Sequence, residues 1–155
     1  MSPGFHIGRL TLLAIAAMFG MCAKSAAFSS GAPGCNVTVS AMMGAEGAPI
    51  VPSPGNWSLT APLAYTSGVA LTVAISNTNP AKQFRGILLW ATNAAGNPVG
   101  VWTIPSGYAA VTGCSGASLT HTSNVAKNLR GFTFSPPVAG TGTITFRAVV
   151  TEECG

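Results

Sequence analysis

Aspartate is absent from this chain, glutamate occurs three times, and charged residues make up only 6% of its 155 positions. That scarcity excludes most hydrolytic chemistry before any motif is sought. A Ser–His–acid triad needs a carboxylate to orient the imidazole, and glycoside hydrolysis needs two carboxyl groups flanking one bond. The glutamates are Glu46, Glu152 and Glu153, two of them adjacent near the end of the sequence. Histidine is nearly as scarce, with only His6 and His121. The spacings of a closed zinc site, Cys-x-x-Cys or two histidines a few residues apart, are also missing, although Cys35, Cys114, Cys154 and His121 include ligand types. The expectation is a protein that is not an enzyme and carries no cofactor and no metal.

Long apolar runs are few as well. Arg9 precedes a mostly apolar stretch from Leu10 to Cys22, and Ser25-Ala26-Ala27 then supplies the small residues that signal peptidase requires. Thirteen residues, from Leu10 to Cys22, fall short of the about 20 helical residues that cross a bilayer. Later runs are broken by Gly, Thr and Asn, so no transmembrane segment is expected. Residues 1–27 read as a signal peptide cleaved after Ala27, with an uncleaved anchor as the alternative, and residues 28–155 as one domain. Localisation is expected to be secreted and extracellular.

Past residue 27 the cations are Lys82, Arg85, Lys127, Arg130 and Arg147, five against three glutamates, a balance of +2. They are scattered along the sequence. Nucleic acid demands a dense basic face, so it is not an expected partner. Polarity comes instead from Ser, Thr, Asn and Gly, as in a β-rich extracellular module with a neutral surface.

What the sequence does have is period-two alternation. Val69, Leu71, Val73 and Ile75 share one face of a predicted strand over 69–76, and Ile144, Phe146 and Ala148 share one face of another over 143–150. Gly86–Thr92 is a continuous apolar run, the pattern of a strand covered on both faces or lying at the sandwich centre. Asn93–Pro98 reads as a turn, with Val99–Ile104 as hairpin partner. Shorter strands are expected at 36–40, 57–60, 108–112, 118–122 and 129–134, and residues 41–55 as an irregular connection. Turn residues recur every 8–12 positions or so, the mark of a sandwich or barrel, and helical periodicity is missing. The expected fold class is all-β, an antiparallel sandwich of about 7–9 strands.

Four features occur in a telling order: Phe84-Arg85-Gly86-Ile87-Leu88-Leu89-Trp90-Ala91, then Cys114, then Thr120-His121-Thr122, then Pro136-Pro137 followed by the strand from Gly142 to Val150. Together they resemble the reeler (reelin N-terminal) domain family of small extracellular modules, over roughly residues 28–151. The resemblance implies an immunoglobulin-like sandwich and a disulfide between Cys35 and Cys114. Cys154 is then left over, free or intermolecular, and a disulfide-linked dimer through it is a candidate assembly. Two departures are present. The Pro-x-His element that the family places after its first cysteine is replaced by Ala41–Glu46, and the Trp before the Pro pair by Phe132 and Phe134.

Candidate contacts for an extracellular ligand (glycan, lipid or protein surface) are Trp57, Trp102 and His121. The two tryptophans neighbour hydroxyl and amide residues and are the candidates for exposed stacking platforms, with core packing the commoner fate of any tryptophan as the alternative, whereas Trp90 is expected to fill the core. For His121 the favoured reading is a half-buried imidazole that locks strand register. Arg85 is expected to cap loop carbonyls with its guanidinium, and Gly86 to permit close approach or a bulge. Asn36 and Asn56 lie in glycosylation sequons. The expected function is non-enzymatic recognition outside the cell, of the innate-defence kind. The alternatives are a structural or adhesive matrix component and the N-terminal module of a larger membrane protein.

Overall fold

Alternation along the chain becomes two sheets packed face to face. The computed structural model describes residues 7–20, 31–36, 50–53 and 56–152. In order the strands are β1 (Ile7–Gly20), β2 (Ile50–Ser53), β3 (Trp57–Thr60), β4 (Ala64–Thr66), β5 (Leu71–Asn77), β6 (Phe84–Asn93), β7 (Val101–Trp102), β8 (Tyr108–Ala110), β9 (Ser118–His121), β10 (Gly131–Ser135) and β11 (Ile144–Glu152). The larger sheet runs β2-β1-β11-β6-β9-β8 with β4 also beside β1, and the smaller runs β3-β5-β10-β7. Pairing is antiparallel except between β1 and β11, which run parallel. The described residues contain no helix. The nine strands from Trp57 onward match the expected all-β sandwich.

The segment expected to be a leader is β1, between β2 and β11. The expected cleavage point after Ala27 lies outside the described residues, as do Cys154 and positions 37–40 of the first expected short strand.

Between the sheets, Val73, Ile75, Phe132 and Phe134 of the smaller sheet meet Ile87, Leu89, Ala91, Leu119, Ile144, Phe146, Ala148 and Val150 of the larger. The residues predicted to share a face of β11 thus do so, pointing inward. Phe134 packs edge-on to Phe146 at 4.8 Å, and Trp102 lies 5.0 Å from Phe134 and 5.7 Å from Phe146. Each such side chain contributes about 1.5–3 kcal/mol through burial alone.

The outer face of β6 is covered too. Leu88 joins Val111, Cys114 and Val149 in a smaller apolar cluster, with Ala32, Cys35 and Trp90 packed against it. The segment 31–36 lies over it, held by the Cys35–Cys114 disulfide, which spans 79 residues with Cα atoms 5.4 Å apart. Ala32 N donates to Thr120 Oγ1 at 2.9 Å, and Ser118 Oγ donates to Cys35 O at 2.7 Å. Gly31 is required here. Its φ is +99°, and a Cβ would stand 2.7 Å from both His121 O and Thr120 Cγ2. β6 is therefore sandwiched from both sides, as its unbroken apolar run predicts.

Two expectations of pairing are corrected. Asn93–Asn97 does turn, with Asn93 Oδ1 accepting from Ala95 N and Asn97 N, each at 3.0 Å. The segment after it, however, stays with β6 only through a bridge between Thr92 and Pro98. It then crosses to the other sheet, where β7 pairs with β10. Gly100, at φ +69°, makes the crossing against the ring of Phe134, whose Cζ would stand 2.2 Å from a Cβ there. Val69 is the second correction: β5 begins at Leu71, and Val69 is exposed.

Candidate functional site

The Thr120-His121 pair ends the β6–β9 ladder by substituting side chains for backbone. Regular pairing stops at Leu88 opposite Thr120. Beyond it, Ile87 N donates to His121 Nδ1 at 3.0 Å, and Thr120 Oγ1 donates to Ile87 O at 2.9 Å. Accepting at Nδ1 places the proton of the neutral imidazole on Nε2. His121 is 4% exposed and works as the register lock expected of it, offering no surface to a ligand. Gly86 makes room: a Cβ there would lie 2.4 Å from Thr151 Oγ1 and 2.9 Å from His121 Cε1. The close approach expected at Gly86 is thus present, and the β6–β11 register shifts beside it, between Thr151 and Glu152.

The two candidate platforms are buried, and the tryptophan expected in the core is the more open one. Trp57 and Trp102 are 5% and 2% exposed. Trp57 meets Phe84 edge-on at 5.8 Å, and Arg130 lies 4.6 Å over its ring. Trp102 Nε1 donates to Ala117 O at 2.9 Å within the core. Both sit on short strands of the smaller sheet at inward-facing positions, so neither is an exposed stacking platform. Trp102→Ala would open a cavity and orphan a carbonyl before it tested any binding. Trp90 shares a face with Leu88 as expected, but that face is the outer one, and its indole is only partly buried.

The cations are also placed differently from their sequence spacing. Lys82, Arg85, Lys127 and Arg130 converge at one end of the sandwich. Arg85 Nη1 donates to Asn124 O at 2.9 Å, the carbonyl cap expected of it. Lys127 Nζ donates to Arg85 O at 3.0 Å, to Val125 O at 2.7 Å and to Ser123 O. Arg130 Nη2 donates to Lys82 O. Desolvation, and then the neighbouring Arg85 charge, hold the Lys127 pKa below the ordinary lysine value. These groups tie loops together. Arg147 stands apart on the outer face of β11, directly across from Trp90.

Asn36 and Asn56 are both exposed. Asn56 adopts φ +57° and its carbonyl accepts from Thr78 N at 3.1 Å, so its side chain stands on a turn while Trp57 beside it is buried. Among the described residues no group of three or more His, Cys, Asp or Glu could hold a metal ion. No helix there is long and apolar enough to cross a membrane.

Residues 38–154 match the Reeler domain family. The chain belongs to that family. Among its curated relatives is "Putative defense protein 3" of Antheraea mylitta, 27% identical over 141 residues that cover 89% of this chain and 85% of the relative. Solved reeler structures share the fold. The Reelin-N domain of F-spondin superposes with a TM-score of 0.53 at 24% identity, covering 63% of this chain and 73% of that one. A human F-spondin reeler domain superposes with a TM-score of 0.53 at 22% identity, covering 64% and 80%. The resemblance carried by Phe84–Ala91, Cys114 and Thr120–Thr122 thus identified the family, and the disulfide it implied is formed. Sequence reasoning missed the outward position of this reeler domain's Trp90, because a strand covered on both faces gives no sign of which face lies between the sheets.

Proposed function

We propose that this reeler protein is a secreted, non-enzymatic recognition module that binds microbial surfaces or glycans in innate defence, after loss of residues 1–27. The observation that carries the reading is the likeness to a protein named for defence across most of both chains. Two further features support it. Reeler domains are extracellular modules, and a fold tied by a 79-residue disulfide loop suits an oxidising compartment. The inventory of ionisable groups supports the non-enzymatic part. His121 is committed to Ile87, and the described cations near the loops are committed to carbonyls.

The test is a binding panel of bacterial, fungal and purified glycan surfaces with the secreted protein. Saturable binding to at least one microbial surface is expected. Failure across the whole panel, with the protein folded and oxidised, would remove the reading.

A further inference from the structure

We infer that the outer face of the larger sheet carries a glycan site at Trp90 and Arg147, and that its ligand is a sugar bearing a carboxylate, a hexuronate. The inference rests on the recognition reading above and names its surface and substrate class. Three rows of side chains meet on this face. Val149 and Leu88 form an apolar row beneath the 31–36 segment. Arg147 and Trp90 form the next row, directly opposite each other across β11 and β6. Thr145 and Thr92 form the third. The partly buried indole is thus bordered by a cation on one side and hydroxyls on another.

The chemistry of that border selects the ligand. Arg147 Nη1 donates to Thr92 Oγ1 at 3.1 Å, a neutral partner that fixes the guanidinium and leaves its other N–H groups available. Among the described residues it meets no carboxylate. Glu152 is five positions further along β11, about 16 Å away at the rise of an extended strand. Trp90 Nε1 makes no hydrogen bond among the described residues. A pyranose can lay its C–H face on an indole, and its carboxylate can take two parallel bonds from a guanidinium. Cross-strand neighbours stand about 5 Å apart at Cβ, a separation that one sugar ring spans. The other basic cluster, around Lys127, spends its N–H groups on backbone carbonyls, so charge complementarity for an acidic sugar is better on this face.

The experiment uses the secreted protein, with alginate as the hexuronate polymer and carboxyl-reduced alginate as its neutral counterpart. Binding is followed by tryptophan emission, since Trp57 and Trp102 are buried and Trp90 is the indole that a ligand on this face would cover. Alginate is expected to shift the emission and to bind better than its reduced form. Arg147→Gln should weaken alginate binding about tenfold, the loss expected for a charge-assisted hydrogen bond, and erase the preference for the carboxylate. Trp90→Ala should lose both binding and the emission change, while Trp90→Phe keeps part of the binding. If Trp90→Ala does not fold, Arg147→Gln, a surface change, decides alone. Alginate binding unchanged in Arg147→Gln would overturn the site. Binding to neutral glycans or whole microbes without binding to alginate would overturn the hexuronate inference and leave the recognition reading standing. Silence on every surface would end both.

Discussion

Tyr108 shows what a single side chain contributes at the edge of this core. It is 8% exposed, packs edge-on to Phe132 at 5.4 Å, and its hydroxyl finds no partner among the described residues. Tyr65, by contrast, donates to Gly142 O at 2.8 Å. Burial pushes the Tyr108 pKa from 10 up to about 12. Above pH 10 the unfolded chain releases this proton while the folded chain keeps it, so stability falls as pH rises between about 10 and 12. Lys127 acts with the opposite sign. Its lowered pKa means that the unfolded state holds the extra proton, so stability rises through the approach to the ordinary lysine range. Tyr108→Phe isolates the first effect. It should leave stability at neutral pH unchanged or higher by less than about 1 kcal/mol, because it removes an unpartnered hydroxyl, and it should flatten the alkaline loss. Urea titrations at neutral pH and at pH 11 check both. A clear loss of stability at neutral pH would mean that the hydroxyl has a partner.

Among the elements, β6 depends on covers of different kinds. Its inner face is held by the opposite sheet, while its outer face is held by a short segment tethered at Cys35. A disulfide closing a 79-residue loop stabilises by about 4–5 kcal/mol in the chain-entropy account. Replacing Cys35 and Cys114 together by serine should therefore cost about that much in chemical denaturation. It should also raise hydrogen exchange at the β8 and β9 amides more than in β5 and β10, since Thr120 and Ser118 bond the tethered segment. Uniform exchange across both sheets would show that the segment does not cover the face independently. The elements were legible in sequence where alternation has one dry face: Ile144, Phe146 and Ala148 could only point inward. Arg85, Gly86 and His121 were legible too, because a cation, a residue without a side chain and a hydrogen-bonding ring each have a specific use at a strand end. Alternation did not reveal which side of β6 lies between the sheets, and so it misplaced Trp90, while the polar neighbours of Trp57 and Trp102 hid the inward-facing positions these two take on β3 and β7. Nor could spacing along the chain show that loops ending near Lys82, Asn124 and Arg130 meet in space.

For the whole molecule, the proposed secretion and leader cleavage together specify which N-terminus the protein carries outside the cell. Ile7–Gly20 lies against β11, and the proposed cleavage after Ala27 would remove it. N-terminal sequencing of the secreted protein should begin at Phe28, and a start at residue 1 would exclude the leader. The recognition reading also predicts a monomer on a non-reducing gel. A dimer that collapses on reduction would favour the matrix reading, with Cys154 as the cross-link.

The long reach of the Cys35–Cys114 bridge also orders events during synthesis. On the proposed secretory route, Cys35 would enter the oxidising lumen ahead of Cys114 and wait for a partner 79 residues behind it, about 4–16 s at ordinary translation rates. Once the proposed leader and its Cys22 are gone, no other cysteine of this sequence emerges during that interval, and Cys154 follows only after Cys114. On that route the first thiol to arrive would be the native one, so correct pairing would follow from arrival order without later reshuffling.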